Sequence, residues 1–388
     1  MIIRQLEASD FERQTELSEF AFQYKTLPEE LEARRQSFRP EESWGAFDER
    51  DRLLSKMILL PLECWVGGKP LKMGGVAGVA TWPEARRSNC VAKLLTHSLE
   101  YMKDQGQTIS MLHPFSIPFY RKFGWEFTIE QKKYEIDMAQ LPKRKDSPGR
   151  METIPKKGEL LNELYEAFAS AYNGALKRSP DWWANRMLSK PGRVSVWSNE
   201  SGSTEAYVLY EVKEGVLTVF DWAALNEEAR NALWAFLANH DSMAKTIRIC
   251  VPADDALPFL LPDPRCVKQE THPYFMSRVV DAEGLIGQYA FNESEARDEL
   301  TLRVSDEYAP WNDRTFRIAF EKDGTAGMTP TEDDAEASCH IRTLTAMLLG
   351  GRRPEWLLRG GQLSGSREAA RKLERRIPVI TPYLPDFF

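Results

Sequence analysis

The alternation of apolar and polar positions divides the chain into short strands and amphipathic helices. Residues 57–66 (MILLPLECWV) read as a largely buried strand, and Gly67-Gly68-Lys69 has the chemistry of a tight hairpin turn. The returning strand, 72–81, carries Gly74, Gly75 and Gly78. Glycine weakens a strand and marks places where another backbone or a ligand comes close. After Pro83 the period changes to that of a helix, with Val91, Leu94, Leu95, Leu99 and Met102 on one face and Gly106 as the stop. Residues 109–112 predict a short strand, and 114–125 a turn and a short helix with Gly124 near its end.

The run 141–150 (LPKRKDSPGR) is charged and punctuated by proline and glycine, which predicts a domain boundary. A second hairpin follows, 206–210 and 216–220, turning at Lys213-Glu214-Gly215, and a helix starts at Asn226 with Leu233, Phe236 and Leu237 on one face. This order repeats that of the first segment without its glycine-rich strand or basic turn. From about residue 284 alternating strands (Leu300, Leu302, Val304; Phe316, Ile318, Phe320) give way to amphipathic helices around 344–348, 356–358 and 366–376. Strands followed by helices predict an α+β layer. The last eleven residues, 378–388, hold three prolines and are apolar, so they predict a non-helical tail that docks on the protein.

Composition narrows the class. With 388 residues, two to four domains are expected, and 42% apolar residues exclude a disordered or fibrous chain. A formal charge of −7 gives no support for nucleic-acid binding and is compatible with a cationic substrate. The five cysteines (Cys64, Cys90, Cys250, Cys266, Cys339) are scattered, no C-x-x-C pair occurs, and the histidines make no H-x-x-x-H pattern, so no metal site is expected. Unpaired cysteines fit a reducing cytosol, and no segment reads as a signal peptide or a membrane span, so a cytoplasmic protein is expected.

The chemistry concentrates in 79–91 (VATWPEARRSNCV), where a strand ends, a basic turn follows and a helix begins. Backbone N–H groups at a helix start, together with Arg86 and Arg87, suit a pyrophosphate. This stretch resembles the acyl-CoA loop of the Gcn5-related N-acetyltransferases. The wider pattern of Gly74-Gly75, Pro83-Glu84, Arg86-Arg87, His113-Pro114-Phe115 and Phe119-Tyr120-Arg121-Lys122-Phe123-Gly124-Trp125 resembles the Eis (enhanced intracellular survival) family. Residues 344–350 and 363–369 resemble that family's C-terminal domain, which is similar to sterol carrier protein. The resemblance implies a mixed α/β (α+β) chain in three parts. These are an N-terminal acetyltransferase domain (1–142), a second, degenerate acetyltransferase-like domain (150–283), and a sterol-carrier-protein-like domain (284–388).

Carried over residue by residue, the resemblance places Val79, Ala80 and Thr81 on the splayed strand that binds the pantetheine arm. Free N–H groups there can also stabilise an oxyanion. Arg86, Arg87, Ser88, Asn89, Cys90 and Val91 match the pyrophosphate loop. Tyr120 matches the tyrosine that protonates the departing thiolate, and the α-carboxylate of Phe388 matches the family's general base. A chain-terminal carboxylate, with a reference pKa of ~3.3–3.7, must be desolvated or act through water to serve an ammonium. One departure stands out: Asn89 occupies the position where the loop's glycine is expected. Asparagine tolerates a positive φ better than other non-glycine residues, so the turn can persist.

The expected activity is acetyl-CoA-dependent transfer to a primary amine of a small cationic acceptor, aminoglycoside-like or a lysine. The resemblance implies a homo-oligomer, a trimer or hexamer. Phe22, Tyr24, Glu29, Glu30 and Trp44 are candidates for a cation-accepting pocket. The rival expectation is a catalytically impaired acetyltransferase fold that serves as a ligand-binding or carrier module.

Overall fold

The computed structural model describes residues 1–141 and 149–388. Most of the charged run taken as a domain boundary lies outside the described residues.

Both hairpins form as the pattern predicts. Leu53–Val66 and Lys69–Thr81 pair antiparallel around Gly67 and Gly68, which sit at φ 57° and 77° as a two-residue turn of this hand requires. Thr204–Lys213 and Val216–Ala224 do the same around Glu214 and Gly215 (φ 52° and 77°). Each returning strand then runs parallel to a strand reached through a helix: Lys69–Thr81 beside Ile109–Leu112, and Val216–Ala224 beside Thr246–Val251. The helices are Cys90–Asp104 and Glu227–Ala238.

The two halves share one sheet of twelve strands among the described residues. At its centre Glu126–Asp137, from the first half, pairs with Thr246–Val251 of the second. Val267–Val279, from the second half, pairs with Ile109–Leu112 of the first. The two exchanged strands also pair with each other, from Val267↔Ile136 to Ser277↔Glu126. Each half therefore completes its sheet with the other's last strand, and the core runs unbroken across the joint, through Ile129, Tyr134, Ile136 and Phe275.

The third part is a five-stranded sheet ordered Ala326–Pro330, Thr315–Phe320, Asp298–Ser305, Ala337–His340, Leu363–Gly365, covered by Ile341–Leu348 and Arg367–Arg376. It is keyed to the centre of the large sheet by Arg278, wholly buried, whose guanidinium donates to Asp306 at 2.8 and 2.9 Å. The tail is non-helical. It runs beside Asn173, whose N–H donates to the Thr381 carbonyl (3.1 Å) and whose carbonyl accepts from Tyr383 N–H (3.0 Å). Among the described residues no helix is long and apolar enough to cross a membrane.

Candidate active site

The parallel pair Lys69–Thr81 and Ile109–Leu112 is in register from Met73↔Ile109 to Val76↔Leu112 and then stops. Past Val76 the first strand bulges. Its register against Leu53–Val66 shifts between Ala77 and Ala80, and Gly78 takes φ 56°. A bulge turns a strand out of its ladder. Here it opens a wedge between the two parallel strands, with the backbone of Ala77, Gly78 and Val79 half-buried along one wall. An extended ligand arm can pair there, and N–H groups aimed into the gap can hold a carbonyl oxygen.

The strand leads into the loop. Arg86, Arg87, Ser88 and Asn89 are exposed, and Arg87 and Asn89 both adopt left-handed backbone (φ 67° and 64°). Asn89 therefore does what a glycine would at that turn. It is the N-cap of Cys90–Asp104 and its side chain caps nothing. The first bond of the helix is Lys93 N–H to the Asn89 carbonyl (3.1 Å). The first-turn N–H groups are thus available to an anion, with two arginines beside them. The Cys90 thiol is buried against the Ser88 hydroxyl (3.1 Å), so this residue offers only its backbone to a ligand. These features fit a pyrophosphate, which Arg86, Arg87 and the backbone of 88–91 would hold.

Tyr120 lies on the helix Ile117–Arg121, just past the end of Ile109–Leu112, and shares a core cluster with Val79, Val91 and Cys90. Phe115, Phe119 and Trp125 hold its ring, with centroids 5.4, 5.2 and 6.4 Å away. Burial pushes the phenol well above its usual range. It keeps its proton at every physiological pH and can donate it, as a hydrogen bond or outright, to a developing thiolate.

Phe388 comes to the same place. A Cβ added to Gly75 would lie 2.9 Å from Phe388 Cε2, so the missing side chain of Gly75 is the seat of the Phe388 ring, one residue before the wedge opens. Phe275 packs on the ring (4.9 Å) and Trp182 lies beyond it (6.3 Å). The bulged strand, the start of the helix at Cys90 and Tyr120 share one cluster, and Phe388 meets the same strand at Gly75.

Two groups there were given no role by the sequence, although His113 lies in one of the motifs that carry the resemblance. The His113 ring stacks on Phe387 (5.1 Å), and its Nδ1 lies 2.8 Å from the Tyr274 carbonyl. A carbonyl only accepts, so Nδ1 holds the proton and Nε2 carries a lone pair able to take one. The other is Asp386, fully buried, its carboxylate accepting from Arg178 Nε (3.0 Å) and the Trp182 indole (2.8 Å).

The expected cation pocket is corrected in part. Trp44 is buried under Cys90–Asp104, against His97 and Tyr101 (4.5 and 5.1 Å), because even-numbered positions of its strand face that helix. It lies across the sheet from the helix Phe11–Phe22, whose Leu17 packs with Phe47 and Ala80. Tyr24 is covered by the Arg34 guanidinium (4.9 Å), and Glu30 pairs with Arg34 (3.7 Å). The exposed aromatic surface near the wedge is instead Phe20 against Trp82 (5.1 Å), with Phe115 on the Tyr120 side.

Comparison with known proteins agrees with this geometry. Two family models described as acetyltransferase (GNAT) domains match residues 2–128 and 174–279, and a sterol carrier protein domain matches 282–385. Fold and site define the class: a Gcn5-related N-acetyltransferase with two acetyltransferase domains in tandem and a sterol-carrier domain. Such domains use acetyl-CoA.

Within that class the chain is similar, over most of its length, to N-acetyltransferases that include Eis. It is 26% identical over 379 residues to an uncharacterized N-acetyltransferase of Streptomyces avermitilis, covering 90% of this chain and 89% of that protein. It is 24% identical over 335 residues to N-acetyltransferase Eis of Mycobacterium tuberculosis, covering 81% of each. A probable N-acyltransferase structure from Enterococcus faecalis superposes with a TM-score of 0.92 at 27% identity, over 100% of this chain and 99% of that one. Eis1 from Mycobacterium abscessus shares the fold (TM-score 0.84, 22% identity, 100% of both chains).

Proposed function

We propose that this acetyltransferase transfers the acetyl group of acetyl-CoA directly to a primary amine of a small cationic acceptor, aminoglycoside-like or a lysine. The Phe388 carboxylate serves as base and Tyr120 as acid. The observation that supports the reading is the contact of the Phe388 ring with the seat of Gly75, just before the strand bulges toward Val79, which shares a cluster with Tyr120. The exposed rings of Phe20 and Phe115, with the half-buried ring of Trp82 against Phe20, offer faces that attract an ammonium.

A terminal carboxylate is about seven pKa units less basic than an alkylamine, so direct proton transfer is uphill by about 9 kcal/mol. The base therefore works by drawing the ammonium in, so that the fraction which has given one proton to water attacks as the free amine, and by taking through water the second proton that the nitrogen sheds as the amide forms. The amine attacks the thioester carbonyl, the N–H groups near Val79 hold the oxyanion, and Tyr120 meets the sulfur as it leaves. Arg86, Arg87 and the backbone of Ser88, Asn89, Cys90 and Val91 orient the cofactor; Val79, Ala80 and Thr81 line its arm. A cytoplasmic homo-oligomer, trimer or hexamer, completes the proposal. The five cysteines, none in a disulfide among the described residues, are compatible with that compartment.

The test is thiol release from acetyl-CoA with kanamycin, spermidine and lysine methyl ester as acceptors. Intact mass first establishes that residue 388 ends the protein. Two glycines appended after Phe388 move the carboxyl group and are expected to lower kcat by about 10²-fold or more, as is Tyr120→Phe. Full turnover by the extended chain would remove Phe388 from the mechanism.

A further inference from the structure

The second acetyltransferase domain repeats the wedge of the first and closes it. Val216–Ala224 runs parallel to Thr246–Val251 only from Val216↔Thr246 to Thr218↔Arg248. Between Val219 and Asp221 its register against the neighbouring strand shifts, as happens between Ala77 and Ala80 in the first domain. Here the gap is bridged, because the Trp222 indole donates to the Cys250 carbonyl (2.9 Å). The helix that follows is capped by its own Asn226, which accepts from Ala229 N–H (2.9 Å), and its first turn carries Glu227 and Glu228. A cap that fills the N–H groups and two carboxylates beside it repel the pyrophosphate that the first domain's loop attracts.

The residue that follows the bulge of this closed wedge has other partners. Asp221 accepts from Arg178 Nη1 and Nη2 (2.7 and 3.1 Å) and from the Tyr207 hydroxyl (2.7 Å). The same guanidinium turns its Nε to Asp386 (3.0 Å). Asp386 also accepts from the Trp182 indole (2.8 Å) and Tyr165 (3.3 Å), and its backbone carbonyl accepts from the Tyr274 hydroxyl (2.8 Å). Arg178, Asp221 and Asp386 are all buried. A buried cluster of this kind is stable only while complete, so it has one arrangement. Arg178 ends a segment that is fixed on its other side to the first domain, by Lys177 N–H to the Glu63 carbonyl (2.9 Å) and Trp65 N–H to the Ala175 carbonyl (2.8 Å). Two residues of chain, a reach of about 7 Å, separate Asp386 from Phe388.

We propose that Arg178 is a positioning residue for acetyl transfer: by bridging Asp221 and Asp386 it makes the closed wedge of the second domain the clamp that sets the Phe388 carboxyl group at the open wedge of the first. This rests on the reading of Phe388 as base. Arg178 alone in the cluster bonds both carboxylates, while Trp182, Tyr165 and Tyr274 hold Asp386 as well, so the tail cannot shift without breaking the cluster.

The experiment measures kcat and the KM for acetyl-CoA, with whichever of kanamycin, spermidine or lysine methyl ester turns over fastest. The variants are Arg178→Gln, Tyr274→Phe, the chain extended by two glycines, and each substitution in the extended chain. Tyr274→Phe removes one hydrogen bond to the Asp386 carbonyl without stranding a charge, and serves if Arg178→Gln does not fold. The expected result is a fall in kcat of about tenfold or more for Arg178→Gln and about threefold for Tyr274→Phe, KM staying within about twofold. In the extended chain neither substitution lowers kcat further. Losses that multiply in the extended chain, or substitutions that leave kcat unchanged, overturn the positioning role. An extended chain with full kcat overturns the reading of Phe388 itself, and so tells that failure from this one.

Discussion

Replacing Gly75 with alanine adds one methyl group at the seat of the Phe388 ring. The new Cβ would stand 2.9 Å from Phe388 Cε2, 3.2 Å from Cδ2 and 3.0 Å from Leu62 Cδ1, where ordinary contact begins at 3.4 Å. Gly75 is not among the residues at positive φ, so alanine takes the strand backbone without strain and gains about 0.5–1 kcal/mol over glycine there. Overpacking costs about 1–3 kcal/mol, so the net loss of stability is about 1 kcal/mol and the protein still folds. The ring has to give way by about half an ångström or more, because Leu62 closes the other side. A displacement near 1 Å of a group that acts by position costs up to about 10²-fold in rate. We therefore expect kcat to fall between about tenfold and hundredfold in thiol-release assays. The KM for acetyl-CoA should hold, because the loop at Arg86 to Val91 is untouched. Phe388→Leu in the same background removes the far ring atoms and should recover part of the loss. A folded Gly75→Ala protein with kcat within twofold of the parent would show that the ring's seat does not place the reacting carboxyl group.

Lys56, 3% exposed, donates to Gln14 Oε1 (2.8 Å), and burial lowers its ammonium from 10.5 to about 8. The unfolded chain therefore binds more protons between pH 8 and 10.5, and stability rises with pH through that window. At 1.36 kcal/mol per pKa unit the buried charge costs about 3 kcal/mol at neutral pH, so Lys56→Met should be more stable there by about 2 kcal/mol and flatten the rise. Urea unfolding from pH 6 to 10 measures both, and an unchanged slope would count against the assignment. Asn89 stands at φ 64°. Asn89→Gly should bind acetyl-CoA at least as tightly by calorimetry, while Asn89→Ala, strained by about 1–2 kcal/mol, should bind it severalfold more weakly. Equal affinities for the two would mean that the turn does not shape the anion site.

Much of the site was legible because its chemistry is local. The hairpin at Gly67-Gly68, the strand with Gly74 and Gly75, and the basic turn into a helix each depend on residues within a few positions of one another. The positive φ of Asn89 follows from its own side chain, and the proline-stiffened tail announces that it cannot be helical. Trp44 could not be placed from sequence, because its strand faces a helix on one side and Phe11–Phe22 on the other, and alternation alone does not say which side holds the acceptor. His113 is one histidine at a strand end until Tyr274, from the other half of the chain, fixes its tautomer.

The sequence by itself determined the two hairpins and the helices that follow them, the glycine-rich strand and the basic turn into a helix, and that the tail is non-helical and apolar. Periodicity, turn chemistry and proline's fixed φ act over one or two turns of chain, so those features are written locally. The tertiary structure alone decided that Glu126–Asp137 and Val267–Val279 are exchanged between the two halves, and that Phe388 rests on Gly75. It also decided that Arg178 joins Asp221 to Asp386, 208 residues away from it. Each of these contacts is a pairing between distant segments, favourable only once the shared sheet has buried both partners. Charge and apolarity along the chain name the groups that can pair, and the folded surface selects which of them do.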